Sequence, residues 1–319
     1  MDIAPETPPY RVAVLVIDDF ALMSFAALVE PMRAANLLAG GTLYDVRCLS
    51  LSGKDAKSSG GAYVPVAGSI EDPGEADLFM VVAGGDPFAV SDSRLFSRLR
   101  RIARSGMTLG GVSGGPVILA RAGLMAARRM TVHWEYREGL QEILPNLLIE
   151  KSLYVVDRDR ITCAGGTAPI DLMHAIIASH HGPAFARTVA DWFLHTDVRP
   201  SAGPQRAGLI ERWGTTNAAV LDAITMMESH IADPLRLDQL ADFAGLGPRQ
   251  LNRLFREHLG ATTMGFYRDL RLEKARNLIR NSPLALSEIA LAAGFSSSAH
   301  FAAAHTQRYG APPSALRRG

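Results

Sequence analysis

The segment Gly111-Val-Ser113-Gly-Gly115 follows an apolar stretch and precedes the helix-forming run Pro116 to Ala122. A Gly-x-Ser-x-Gly pattern between a strand and a helix lifts a serine hydroxyl onto a sharp turn, where a neighbouring base can take its proton. His133 is the base that the sequence offers, and Glu30 or Asp171 are acids that would complete a polar set. The same pattern also suits a glycine-rich structural turn with no catalysis. His133 is followed by Trp134, a pair fit to line a pocket, with an indole face for apolar or cationic groups beside a switchable imidazole. Gly84-Gly85-Asp86 and Gly165-Gly166-Thr167 follow two other apolar strands, and in a parallel sheet they converge with Ser113 at the strands' carboxyl ends. Neither loop has the Gly-x-Gly-x-x-Gly spacing of a dinucleotide site. Cys48 and Cys163, the 2 cysteines, stand far apart and outside any metal-ligand spacing, so no disulfide framework, zinc site or other cofactor is expected.

A second group of residues suits a different chemistry. Arg249, Gln250, Asn252, Arg253 and Arg256 fall on or near one short helix whose packed side is Leu251, Leu254 and Phe255. Long hydrogen-bond donors projecting from a helix held against its neighbour can read base edges in a DNA major groove. From Arg249 to Arg280 there are eight basic side chains against Glu257, Asp269 and Glu273, a local balance of +5 that suits phosphate neutralisation. Arg268, Arg271 and Arg276 are the backbone-contact candidates of this stretch.

The elements that must position these residues fall into two regions. Up to Asp197 the pattern is α/β: strands at residues 11–17, 43–49, 78–82, 107–112, 152–156 and 160–163 alternate with helices at 22–38, 93–105, 115–122 and from 168, with parallel crossovers. Asp197 to Ala207 is rich in proline, glycine and serine and reads as a connection. Beyond it the apolar positions recur every three or four residues and strand patterns cease. Leu235, Leu237, Leu240, Ala241, Ala244 and Gly245 return 49 positions later as Leu284, Leu286, Ile289, Ala290, Ala293 and Gly294; past the turn the offset becomes 50, from Leu251 to Phe301 and Gly260 to Gly310. Two helix-turn-helix units are therefore expected, at about 237–259 and 286–309. The second carries Ser298, His300, Ala303, Gln307 and Arg308, a shorter hydrogen-bonding reach than the first, and is assigned phosphate contacts or few bases.

Length and charge bound these readings. A chain of 319 residues with 48% hydrophobic and 20% charged residues supports more than one packed domain and excludes collagen-like or wholly disordered classes. The net charge of +1 divides into −2 over residues 1–210 and +3 over 211–319. The acidic, proline-rich start lacks a signal-peptide pattern, and no stretch approaches the roughly 20 apolar residues of a membrane helix, so a cytoplasmic protein without a membrane partner is expected.

Ala241-Asp-Phe-Ala-Gly-Leu-Gly-Pro-Arg-Gln-Leu-Asn-Arg-Leu-Phe255, Leu270-Arg-Leu-Glu-Lys-Ala275 and Gly294-Phe-Ser-Ser-Ser298 together resemble the double helix-turn-helix domain of AraC/XylS-type transcription regulators. That resemblance implies that Arg271 to Ile279 joins the two subdomains and that Arg249, Gln250 and Arg253 match the first reading helix. Ala303 and His305 depart from its usual basic and aromatic residues. Phe25-Ala-Ala-Leu-Val-Glu-Pro-Met-Arg-Ala-Ala-Asn36, Gly111-Val-Ser-Gly-Gly115, Thr131-Val-His-Trp134 and Cys163-Ala-Gly-Gly-Thr-Ala-Pro-Ile-Asp171 resemble the DJ-1/PfpI-type, class I glutamine-amidotransferase-like domain fused to such regulators. Ser113 then stands where DJ-1/PfpI proteins bear a reactive cysteine, with His133 matching the elbow's histidine neighbour and Glu30 its acidic neighbour. The subgroup most resembled is that of activators of carnitine, glycine betaine and arginine catabolism.

The resemblance implies an α/β flavodoxin-like (DJ-1/PfpI-type) sandwich followed by an all-α double helix-turn-helix domain. The expected bounds are a flexible terminus 1–9, a sensor domain 10–196, a linker 197–212 and a DNA-binding domain 213–319. Serine lacks the thiolate chemistry of the elbow cysteine, which disfavours a thiol-dependent enzyme or oxidation sensor. The expected function is a ligand-responsive transcriptional regulator, an activator of catabolic genes for a small cationic or zwitterionic amine or amino acid. Glu30, Ser113, His133, Trp134 and Asp171 are its expected ligand residues, and promoter DNA, a small-molecule effector, RNA polymerase and a second copy its partners. The alternative is a serine hydrolase or amidase using Ser113 and His133, attached to a DNA-binding module.

Overall fold

The computed structural model describes residues 8–317, and the expected flexible terminus therefore lies mostly outside the described residues. The chain divides into two compact units, Met1–Gln205 and Arg206–Gly319. The first runs β1 (Tyr10–Val16), α1 (Leu22–Ala39), β2 (Tyr44–Ser50), the short strands β3 (Ala56–Lys57), β4 (Tyr63–Val64) and β5 (Gly68–Ser69), then β6 (Leu78–Ala83), α2 (Ser93–Arg104), β7 (Thr108–Ser113) and α3 (Gly115–Arg121). It continues with β8 (Arg129–Met130), α4 (Trp134–Ile143), β9 (Leu148–Ile149), β10 (Tyr154–Asp157), β11 (Arg160–Cys163), α5 (Ala168–His181) and α6 (Pro183–Trp192).

Seven strands form one sheet in the order β10-β11-β7-β6-β1-β2-β5. All pairings are parallel except that of β10 with β11, a hairpin that turns through Arg158 at φ +58° rather than a crossover. Alternate residues of the buried strands face opposite ways. Val12, Val14, Val16, Met80 and Val82 pack with Leu28, Met32, Leu172, Ile177 and Val189 of α1, α5 and α6. Ala13, Leu15, Phe79 and Val81 pack with Leu95, Leu99, Val117 and Leu140 of α2, α3 and α4 on the other face. Covering both faces is what makes these strands continuous apolar runs. The chain leaves β1 toward β2 on one side and returns to β6 on the other, so the carboxyl ends of β1 and β6 flank a topological switch point, with β7 the next strand.

Residues 199–205, within the expected connection, are hydrogen-bonded into the α/β unit, and the second unit begins at Arg206. Prolines and glycines remove side-chain packing from this segment, but its backbone and its Arg199 and Gln205 side chains find partners there.

The second unit is all-helical: α7 (Leu209–Trp213), α8 (Ala218–Ser229), α9 (Leu237–Phe243), α10 (Pro248–Leu259), α11 (Thr263–Asn281), α12 (Leu286–Ala292), α13 (Ser298–Tyr309) and α14 (Pro313–Leu316). Val220, Ile224, Leu240, Leu251, Phe255, Phe266 and Leu270 form one core. Leu272, Leu278, Ile289, Phe295 and Phe301 form another. The long α11 contributes its first half to one core and its second half to the other, as the Arg271 to Ile279 expectation requires. Among the described residues no helix is long and apolar enough to cross a membrane.

Candidate functional site

Ser113 ends β7 with φ +60°, a left-handed conformation that costs a non-glycine residue about 1 kcal/mol and that the elbow pattern anticipates. Its side chain is buried. Gly165, at φ +94°, presses against it: a Cβ there would stand 2.7 Å from Ser113 Cβ and 2.9 Å from Ser24 Oγ. Only glycine supplies both the backbone angle and the clearance. Ser24 is itself buried at the start of α1 and its Oγ accepts the Gly166 N–H at 2.8 Å. The loops Gly84-Gly85 and Gly165-Gly166 thus both meet the elbow end of the sheet, the former through β6, whose Ala83 pairs with Ser113.

His133 reaches the same end because α4 docks there: the Tyr136 hydroxyl donates to Gly85 O at 3.0 Å and the His133 ring lies 5.8 Å from that of Tyr136. His133 is the N-cap of α4, its Nδ1 accepting the Glu135 N–H at 3.4 Å. Burial pushes the His133 pKa down, outweighing the opposite pull of Glu135. The neutral ring with Nδ1 as acceptor carries its proton on Nε2, an assignment that follows from this hydrogen bond. Burial thus favours the neutral ring, and no hydrogen bond joins His133 to Ser113. Trp134 is half-buried, its ring 5.4 Å from that of His133.

Two expected site residues are elsewhere engaged. Glu30 pairs with Arg33 at 2.6 Å one turn along α1, with its side chain 40% exposed. Ser24, without a charge, is the α1 residue at the elbow, six residues before Glu30. Asp171 is fully buried, and its two oxygens accept from His195 Nε2 at 2.8 Å, Arg199 N at 2.9 Å, and Arg199 Nε and Nη2 at 3.0 and 2.6 Å. It is a structural anchor rather than an open ligand contact. Burial pushes the thiol of Cys163, at the end of β11, up to about 12, leaving it un-ionised at neutral pH. Among the described residues no group of His, Cys, Asp and Glu is arranged to hold a metal ion. An open cleft of about 670 Å³ at the amino ends of β1 and β2 includes Tyr10, Arg11, Asp77 and His180, but lies at the opposite end of the sheet and Arg11 and Asp77 are paired with each other.

In the helical unit, α10 buries Leu251 and Phe255 and leaves Arg249, Gln250, Arg253 and Arg256 exposed. Asn252 is not on that open face: its Oδ1 accepts the Thr263 N–H at 3.0 Å, fixing α10 to the start of α11. Arg268 is exposed. Arg271 is not available as a phosphate contact. Its Nε donates to Ala293 O at 2.9 Å, Nη2 donates to Gly294 O, and the guanidinium lies 4.3 Å above the Phe295 ring. Burial lowers its pKa. Arg276 lies 4.9 Å over Tyr309, and Arg308 pairs with Asp269 at 3.2 Å, so both are partly committed within the unit. Ser298, His300 and Gln307 of α13 are exposed. His305 is fully buried between Phe301 and Tyr309, taking an aromatic's place in the core.

Comparison with known proteins follows the same division. Residues 10–179 match the DJ-1/PfpI family and residues 240–319 a helix-turn-helix domain. The chain is 44% identical over 310 residues to the HTH-type transcriptional regulator GlxA of Rhizobium meliloti, covering 97% of this chain and 95% of that one. It is 40% identical to the HTH-type transcriptional regulator CdhR of Pseudomonas aeruginosa over 94% of this chain and 89% of that one. Among solved structures, an AraC family transcriptional regulator from Pseudomonas putida superposes with a TM-score of 0.53 at 28% identity, over 58% of this chain and 100% of that one.

Proposed function

The chain belongs to the AraC/XylS-type helix-turn-helix transcriptional regulators that carry an amino-terminal DJ-1/PfpI domain, and on that premise we propose how its two units divide the work. The α/β unit binds a small effector at the elbow end of its sheet, and the helical unit reads promoter DNA to activate transcription. The observation that carries the effector reading is an elbow with its strained backbone intact and its chemistry removed. Ser113 stands at φ +60° with no hydrogen bond to His133, and the neighbouring α1 position is Ser24 rather than a carboxylate.

The effector class is a small cationic or zwitterionic amine or amino acid, as the resemblance to carnitine, betaine and arginine regulators suggests. The Ser113 hydroxyl and the His133 Nε2–H are donors suited to its carboxylate. The Trp134 face, with Glu135 beside it, suits its ammonium or guanidinium. Calorimetric titration of the intact chain with carnitine, glycine betaine, dimethylglycine and arginine should give binding with at least one, weakened about tenfold by Trp134→Ala. Absence of binding by all four, or binding indifferent to Trp134→Ala and His133→Ala, would overturn this assignment. The strained serine also motivates the hydrolase alternative; selective labelling by a serine-reactive probe that Ser113→Ala abolishes would establish it, whereas effector binding alone predicts none.

On DNA, Arg249, Gln250 and Arg253 are the proposed base readers, with Arg256 and Arg268 on phosphates. Ser298, His300 and Gln307 of α13 make a lesser contribution. A homodimer on adjacent half-sites and contact with RNA polymerase complete the proposal, by likeness to regulators of this type.

A further inference from the structure

The chain that leaves the α/β unit is fastened to both sides of the elbow before it enters the helical unit. On one side, Arg199 reaches α5 and the loop before it: its guanidinium donates to Asp171 Oδ2 through Nε and Nη2 at 3.0 and 2.6 Å and to Thr167 Oγ1 at 2.9 Å, while its backbone N–H donates to Asp171 Oδ1 at 2.9 Å. Thr167 directly follows Gly165 and Gly166, the residues that press on Ser113 and donate to Ser24. On the other side, Gln205 Nε2 donates to Thr131 Oγ1 at 3.0 Å, Val132 O at 3.2 Å and Ser152 O at 2.7 Å. Thr131 and Val132 lead directly into His133 and Trp134. Between the two fastenings, Ser201 O accepts the Leu153 N–H at 2.8 Å. Gln205 is the last residue of the α/β unit and Arg206 the first of the next.

We infer that Arg199 and Gln205 are positioning residues that carry the state of the elbow site to the chain entering the helical unit. The inference rests on the effector reading above and adds its route. Neither residue is among those proposed above to contact the effector. Each ties one wall of its site, the Gly165–Asp171 wall or the Thr131–Trp134 wall, to the same seven-residue stretch, 199–205. An effector that changes how these two walls sit must therefore displace or strain that stretch, because the buried Asp171 carboxylate cannot give up Arg199 without losing most of its compensation. Gln205 keeps its position although its Oε1 is buried without a partner, so the two N–H groups of Nε2, shared among three acceptors, decide where it lies. Thermodynamic linkage makes such a route reciprocal: what binds the helical unit must act back on the walls.

That reciprocity permits a test without a known effector. DNA would be selected from a random pool by the intact chain, and amide hydrogen exchange measured with and without it. The selected DNA should change exchange at residues 131–134 and 165–171 about fivefold or more in the wild type, the lower end of ordinary coupling. In Gln205→Ala the change at 131–134 should vanish, and in the gentler Arg199→Lys, which keeps the charge but loses the two-point grip, the change at 165–171 should vanish. Both variants should hold the selected DNA within about twofold of wild type. A purely structural role would lower the unfolding temperature and leave the DNA-dependent difference in place. Selected DNA that leaves both walls unchanged in the wild type, or changes that persist in both variants, overturns the inference alone. Failure to enrich any DNA sequence overturns the regulator reading beneath it.

Discussion

α9 with α10, and α12 with α13, repeat one backbone under two different surfaces. The first helices begin 49 positions apart, as do the left-handed glycines Gly245 and Gly294, while the second helices begin 50 apart. The added residue lies in the turn between Gly294 and Ser298. Inside, Leu240 and Ile289, Ala241 and Ala290, and Leu251 and Phe301 occupy equivalent buried positions. Outside, Arg249, Gln250, Arg253 and Arg256 of α10 correspond to Ala299, His300, Ala303 and Thr306 of α13, and all eight are exposed. Packing thus preserves the repeat where side chains are buried, and the surfaces diverge where packing leaves them free. One unit keeps long charged donors and the other short polar or apolar groups, which is the physical basis for assigning most base reading to the first.

The sharpest way to separate the units is at their turns. Both glycines have positive φ, but a Cβ at Gly294 would stand 2.3 Å from Ile231 O, whereas one at Gly245 meets nothing within 4 Å. Gly294→Ala should therefore destabilise the helical unit by about 4 kcal/mol, combining left-handed strain with overpacking, and Gly245→Ala by only about 1. Urea denaturation of both variants checks this, and equal losses would break the comparison. Next, Arg271→Ala should cost about 3 kcal/mol of stability by leaving the Ala293 and Gly294 carbonyls and the Phe295 face without their partner. Its effect on the salt dependence of DNA binding should be small, while Arg268→Ala should flatten the slope of log K against log salt by about 0.9 with little change in stability. The smallest pair concerns reading. Arg253→Ala should weaken binding to the selected DNA by about 2 kcal/mol and relax specificity at one position, whereas Gln307→Ala should cost about 0.5 or less. Competition against scrambled DNA measures both, and a larger loss for Gln307→Ala would reverse the assignment of the principal reader.

The strands and helices that bury long apolar runs were legible in the sequence, because a doubly covered sheet and a packed helix leave unmistakable periods. Thr108–Ser113 followed by Gly115–Arg121 is the clearest case, and Ser113 takes the left-handed angle that the elbow pattern requires. The 49 and 50 offsets were legible for the same reason. Partnerships across sequence were not. Arg271 reads as one more basic residue in a basic stretch, and only the fold brings the Ala293 and Gly294 carbonyls under its guanidinium. Asn252 likewise has the composition of a reader, but its side chain accepts the Thr263 N–H at the start of α11. At the elbow, Glu30 stands out in the sequence by its charge, whereas a buried serine bonded to a backbone amide, as Ser24 is, has no distinctive pattern. The helix α4 is not legible in the sequence because it begins with His133 as a cap, a signal weaker than the pocket chemistry that His133 and Trp134 suggest.

Arg199 also bears on where the molecule can be divided. The composition changes at Asp197, but the ionic balance of the α/β unit closes only beyond it. A chain cut at residue 196 retains the wholly buried Asp171 with His195 and without the guanidinium that matches it. Such a fragment would carry an interior carboxylate stripped of its main counter-charge, a burden of several kcal/mol that a domain of this size can scarcely tolerate. A cut after Gln205 leaves the same carboxylate neutralised. The boundary of independent folding therefore falls where charge is balanced, several residues past the point where the sequence stops looking like a domain.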